Sequence, residues 1–202
     1  MASSAQQQVV EHVVLFRARE GVDRAAIDAW VKEAIALAGL DGVLHLIVGT
    51  VHSCKPDDGA WSCALYGRYR DKAALHAYAV HPQHLQLVSL GSTIFGDVMA
   101  LDWEAHVSED SLFPSSISNL SVLFFKPTPE CSVDDVVSLP HGDKFFTSGP
   151  NFSPGRARGF EWGFISHGDV LQEETLFAHS LSSKLLAEQY LLAEINVLES
   201  SL

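Results

Sequence analysis

Apolar and polar positions follow two rhythms along this chain, a two-residue alternation and a helical repeat. Residues 11–20, EHVVLFRARE, form a β-branched and aromatic run that predicts a strand with both faces apolar, and therefore covered. Residues 23–39, DRAAIDAWVKEAIALAG, change to the helical period. Ile27, Trp30, Val31, Ala34, Ile35 and Ala38 share one face, with Asp23 as cap and Gly39 as stop. VLHLIVGTV (43–51) and SCALYGRYR (62–70) predict two strands around the turn-rich SCKPDDGAW (53–61). A helical stretch follows, then a fourth strand in TIFGDVMALDWEAH (93–106). The order β-α-β-β-α-β is that of a ferredoxin-like unit, whose sheet leaves one face without helices.

The helical stretch, ALHAYAVHPQHLQLV (74–88), contains His76, His81, His84 and Pro82. Proline lacks a backbone donor, and its ring collides with the carbonyl four residues earlier, that of Tyr78. It also pushes His81 out of helical angles. The expectation is one helix from about Asp71 to Val80, a break, and a second helix with Pro82 in its first turn. His84 then lies near the positive end of that second helix, which disfavours imidazolium and favours a neutral, proton-accepting ring.

After a polar linker, residues 108–118, the chain reads as a worn second copy. LSVLFFKPTPE (120–130) repeats the first strand and GFEWGFISH (159–167) serves as a later one. SSKLLAEQYLLAE (182–194) predicts a helix and INVLE (195–199) a short last strand. The expected organisation is a disordered tail 1–10, a site-bearing unit 11–107, the linker, and a degenerate unit 119–202. Two such α+β units would pack sheet to sheet and cover each other's open faces. The histidines are not repeated. Leu120 stands where the first copy has His12, and setting Tyr190 against Tyr78 puts Ala193 and Asn196 at the positions of His81 and His84. Chemistry is therefore expected in the first half, with the second mainly covering its sheet.

Composition removes several function classes. The formal net charge is -12, and the 13 Lys and Arg are scattered, so no basic stripe faces phosphates or anionic lipid. No stretch is long and apolar enough to span a bilayer. Cys54, Cys63 and Cys131 lack metal-site spacing and suggest a reducing compartment. Ser200-Ser201-Leu202 resembles the peroxisomal address S-K-L, which sets a peroxisomal location as the expectation and a cytoplasmic one as the alternative. No nucleotide-loop or hydrolase-elbow motif occurs, so no cofactor is expected. His81 and His84 stand three apart, but the proline spoils their helical spacing and no Cys or carboxylate stands beside them, so no metal is expected either.

With His12-Val-Val-Leu-Phe, the βαββαβ order and Tyr78-x-x-His81-Pro-x-His84 in hand, the chain resembles the stress-responsive dimeric α/β-barrel (Dabb) family. GPNFSPGRARGF (149–160) resembles a loop of plant members with two such units. The resemblance implies a tandem ferredoxin-like barrel, closed within the chain as a pseudo-dimer or between two chains as a homodimer, with a small apolar cavity in the unit. Two plant relatives, olivetolic acid cyclase and a hydroxynitrile lyase, work without cofactors. Carried over from the cyclase, the resemblance implies that His84 is a general base, that Tyr78 assists it, and that His12 lies in the pocket. Such a base and donor suit bond making or breaking beside a carbonyl.

Each residue also has a structural reading. His12 shares a face with Val14 and Phe16 and could satisfy a core backbone group; Tyr78 could be a buried aromatic; His81 is read as a cap. Two functions follow, a cofactor-free lyase or cyclase acting on a small carbonyl compound, and a non-catalytic stress or defence protein binding a small ligand. Catalysis requires His12, Tyr78 and His84 to converge on a cavity of roughly 300 Å³ or more. A filled interior, with His84 bonded to backbone on both nitrogens, would leave only the second function.

Overall fold

The computed structural model describes residues 6–56, 61–112, 117–129, 146–167 and 187–198. The first unit runs β1 (Gln6–Ala18), α1 (Arg24–Ala36), β2 (Val43–Lys55), β3 (Cys63–Tyr69), α2 (Lys72–Val80), α3 (Pro82–Ile94) and β4 (Phe95–Ser108). The second supplies β5 (Asn119–Pro127), β6 (Phe146–Pro150), β7 (Trp162–His167) and β8 (Ala187–Val197). The eight strands among the described residues form one antiparallel sheet of order β4-β1-β3-β2-β8-β5-β7-β6. Each half of that order is the same ferredoxin-like sequence of strands, so the internal repeat is real at the level of topology.

The units join inside the chain. β2 pairs with β8 from Gly49 opposite Val197 to Lys55 opposite Leu192. At the other end β4 lies against β6, where the Trp103 indole donates to Thr147 Oγ1 at 3.4 Å and the Phe152 amide, just beyond β6, donates to the Asp102 carbonyl at 3.0 Å. The sheet thereby curls into a near-barrel. Val9, Val13, Leu15, Trp103, Phe124 and Ile195 fill its interior. Alternate β1 residues, Val10, Val14 and Phe16, face outward and pack with Trp30, Val31 and Ala34 of α1.

Local chemistry accounts for the helices. The Asp23 carboxylate accepts from the Ala25 amide at 3.0 Å, and the Asp71 carboxylate from the Ala74 amide at 2.7 Å, each satisfying an orphan donor of a first turn. The Trp30 indole donates to the Leu87 carbonyl at 3.2 Å and ties α1 to α3. Phe16, Trp30 and Phe95 form a cluster with ring centroids 4.8 to 4.9 Å apart. The expected break is present: α2 ends at Val80, His81 is extended, and α3 begins at Pro82.

Four expectations need correction. β1 starts at Gln6 and pairs with Ser108, so the tail does not reach residue 10. Thr93 and Ile94 finish α3, and β4 starts at Phe95. The predicted helix over 182–194 is, from Ala187, strand β8; it lies between β2 and β5, and pairing on both sides overrides a helical pattern. Tyr190, Ala193 and Asn196 therefore lie on the counterpart of β4, and the register set against Tyr78, His81 and His84 fails with that helix. Residues 182–186, Cys131 and Ser200-Ser201-Leu202 fall outside the described residues. No described helix is long and apolar enough to cross a membrane.

Gly49 provides a test of the in-chain junction. A Cβ there would lie 2.4 Å from Ile195 Cγ2 and 2.6 Å from the Asn196 carbonyl oxygen, on the facing β8. That carbonyl belongs to backbone, which cannot turn aside as a side chain can. Gly49→Ala is expected to destabilise the protein by about 1–3 kcal/mol, read as a lower urea midpoint at unchanged slope. An unchanged midpoint would mean that β2 and β8 are not packed this closely.

Candidate functional site

The helix break builds the first part of the site. In an unbroken helix the Gln83 amide would donate to the Ala79 carbonyl; here it donates to Nδ1 of His81 at 3.3 Å, the capping role read from the sequence. His84 takes over the Ala79 carbonyl, with Nδ1 2.9 Å from its oxygen. A carbonyl can only accept, so this nitrogen carries the proton and Nε2 is left with a free lone pair. Partial burial pushes the His84 pKa below its ordinary value of 6.5; the Ala79 bond works against this, while the charges of His12, Arg156 and His81 add to the lowering. The ring is a neutral base at physiological pH.

Tyr78, one turn earlier, is 3% exposed and lies with its ring centroid 4.5 Å from that of His84. Burial is the main cause that pushes its phenol up to about 12, so its hydroxyl stays a donor. On its other side Tyr69 approaches to 5.0 Å between ring centroids. Among the described residues the buried Tyr69 hydroxyl has no hydrogen-bond partner of normal geometry.

His12 enters from β1. It sits directly opposite Asp102 of β4, and its Nδ1 makes a short contact with Asp102 Oδ1. Burial alone would push the Asp102 carboxyl up, but the bond from His12, the His12 charge and a bond from Ser153 outweigh it and hold the group below the usual carboxylate range. The carboxylate thus fixes the orientation of the His12 ring.

His12, Tyr78 and His84 line one cavity of about 780 Å³ between the helices and the outer face of β1 and β4. Trp30, Phe95 and Leu87 supply apolar wall, and Leu85 and Val88, both exposed, stand on its α3 side. The three residues picked out by the sequence pattern therefore come together. Tyr78 is the buried aromatic of its structural reading, whereas His12 bonds a carboxylate and not a backbone group, and His84 has only one ring nitrogen engaged by backbone. His76 is exposed and outside the cavity wall. No group of three His, Cys, Asp or Glu placed to hold a metal occurs among the described residues.

Sequence reasoning missed two contributions. Asp102 interrupts the apolar run VMALDW, and a lone acid there was the available signal, but its partner is set by the β1–β4 register. The second unit does more than cover the sheet, because Ser153, Pro154, Gly155 and Arg156 also line the cavity. The Asn151 side-chain oxygen accepts from the amides of both Asp102 and Ser153 at 3.0 Å, which clamps this loop onto β4.

Comparison with known proteins agrees with this architecture. Residues 10–105 match the stress-responsive A/B barrel domain, Dabb. The chain is 36% identical over 168 residues to the stress-response A/B barrel domain-containing protein DABB1 of Arabidopsis thaliana, covering 79% of this chain and 80% of that protein. It is 32% identical over 183 residues to a second Arabidopsis thaliana protein described as containing the stress-response A/B barrel domain, covering 85% of this chain and 69% of that one. A solved structure from Fusobacterium nucleatum superposes with a TM-score of 0.64 at 13% identity, covering 96% of this chain and 94% of that one, a likeness of fold alone. The matched domain and the extent of the Arabidopsis relatives establish that this chain belongs to the stress-responsive A/B barrel (Dabb) family.

Proposed function

We propose that this chain is a cofactor-independent lyase or cyclase acting by general-base chemistry on a small carbonyl or polyketide-like compound. The observation that carries the reading is His84, whose Nδ1 is held by the Ala79 carbonyl and whose ring packs at a tilt against Tyr78 in the wall of a cavity of about 780 Å³. Nε2 removes the proton from the carbon beside a substrate carbonyl. The negative charge that develops on the carbonyl oxygen accepts a hydrogen bond from the Tyr78 hydroxyl. The carbanion then attacks a second carbonyl carbon in the same molecule. A carbon-carbon bond forms, and the new alkoxide takes the proton back from the His84 imidazolium. His12, oriented by Asp102, lines the same cavity beside the substrate. The pattern Tyr78-x-x-His81-Pro-x-His84, shared with olivetolic acid cyclase, supports the same assignment.

The test is to incubate the protein with β-keto and poly-β-keto thioesters and to follow the products by mass spectrometry. Cyclised or cleaved products above the rate in buffer are expected. Saturable binding of these compounds with no product would leave the other reading, a stress-response protein that holds a small ligand without transforming it.

A further inference from the structure

Four ionic side chains other than histidine stand in the cavity wall: Arg19, Asp97, Asp102 and Arg156. Asp97 is taken by Arg158 of the second unit, and Asp102 by His12. The Arg19 guanidinium donates to the Ser92 carbonyl at 3.3 Å. Arg156 alone of the four has no hydrogen bond and no carboxylate partner among the described residues. In a chain with 25 acidic against 13 basic residues, Arg156 reaches the cavity wall with its guanidinium uncommitted among the described residues.

We propose that Arg156 binds an anionic group of the substrate, so that the cavity takes carbonyl compounds bearing a carboxylate or a phosphate in preference to neutral ones. This names the substrate class for the carbonyl chemistry proposed above and rests on that reading. The guanidinium is planar and always charged, and its paired N–H groups match two oxygens of either anion. The backbone that carries it is anchored. Arg156 ends a single 3-10 turn (Pro154–Arg156), after which the Ala157 amide donates to the Pro154 carbonyl at 3.2 Å and the Ala157 side chain is fully buried. Before that turn, Asn151 and Phe152 are bonded to the backbone of Asp102. The loop is thus anchored to the strand that orients His12.

Arg156 also stands close enough to His84 for its charge to help keep that ring neutral. An anion seated on the guanidinium would place the rest of the substrate beside the base. The site would then need both units: the base and its tyrosine come from the first, the anion-binding residue from the second. This gives the degenerate copy a binding role besides closing the barrel.

The experiment is calorimetric titration of the full chain with 3-oxooctanoate, its methyl ester and hexyl phosphate, using wild type, Arg156→Gln and Arg156→Lys. Arg156 is exposed, so these variants are expected to melt at the wild-type temperature. The wild type is expected to bind the carboxylate or the phosphate about tenfold or more tightly than the ester. Whichever of the two binds more tightly identifies the anion. Arg156→Gln should erase the preference, Arg156→Lys should keep part of it, and added salt should reduce it. Equal binding of acid and ester by wild type, an unchanged preference in Arg156→Gln, or no saturation by either anion up to about 1 mM would overturn the proposal. Failure of the catalytic reading looks different. A chain that discriminates acid from ester but forms no product from the poly-β-keto thioesters upholds the anion site and removes the enzyme. Product from the thioesters in a chain that binds acid and ester equally does the reverse.

Discussion

Replacing His84 with alanine is expected to lower turnover by a factor on the order of 10² or more while leaving the melting temperature almost unchanged. The asymmetry follows from its surroundings. His84 is half-buried, and its one backbone bond is to a carbonyl at the break between α2 and α3, so removing it costs little packing. It is also the cavity's neutral base. The pH profile provides a separate readout. A base must be unprotonated, and the pKa of His84 lies below 6.5, so the acid limb of kcat/KM is expected below pH 6.5. Pro82→Ala should reproduce part of the loss with the side chain still present, because a continuous helix returns the Ala79 carbonyl to the Gln83 amide and frees the His84 ring. A His84→Ala protein that unfolds readily, yet turns over normally in the fraction still folded, would reduce the histidine to a structural residue.

The largest stability effect is expected inside the barrel, away from the cavity. Glu11, next to His12 but on the opposite face of β1, is fully buried with Arg68 of β3. Arg68 Nη2 lies 2.6 Å from Glu11 Oε1, and Nε lies 3.2 Å from both carboxylate oxygens. Tyr66 and Thr147 hydroxyls donate to the same carboxylate at 3.0 and 2.9 Å. Burial first, and the Glu11 charge second, push the Tyr66 phenol well above its ordinary value, so it remains a donor. Arg68→Met is expected to cost about 3–5 kcal/mol, because it leaves a carboxylate buried without its cation. Glu11→Leu with Arg68→Met should recover most of that loss, since an apolar pair of similar volume has no charge to desolvate. The check is a double-mutant cycle by urea unfolding; a single-variant loss under about 1 kcal/mol would show that water reaches the pair. Because Thr147 belongs to β6, the same network also ties the second unit to the first.

Some of this was legible in the residues themselves. The cap at Asp23, the helix start near Asp71, the break at Pro82, the capping role of His81 and the β-α-β-β-α-β order all depend on sterics and hydrogen bonds within a few residues, and the structure has each of them. The histidine and tyrosine of the broken helix share a cavity for the same reason, since α2 and α3 meet at the break. Other features depend on residues far apart in the chain. His12 finds Asp102 across 90 positions, and Glu11 finds Thr147 across 136, through strand register and barrel closure that no local pattern encodes. Strand β8 is the sharpest case. QYLLAEI, residues 189–195, has the spacing of an amphipathic helix, but two neighbouring strands offer pairing along its length, and that exceeds the small intrinsic preference of the segment. The arrival of Arg156 at the cavity is decided in the same way, by where the second sheet half docks, because a loop's own sequence specifies its turn and not the surface it meets.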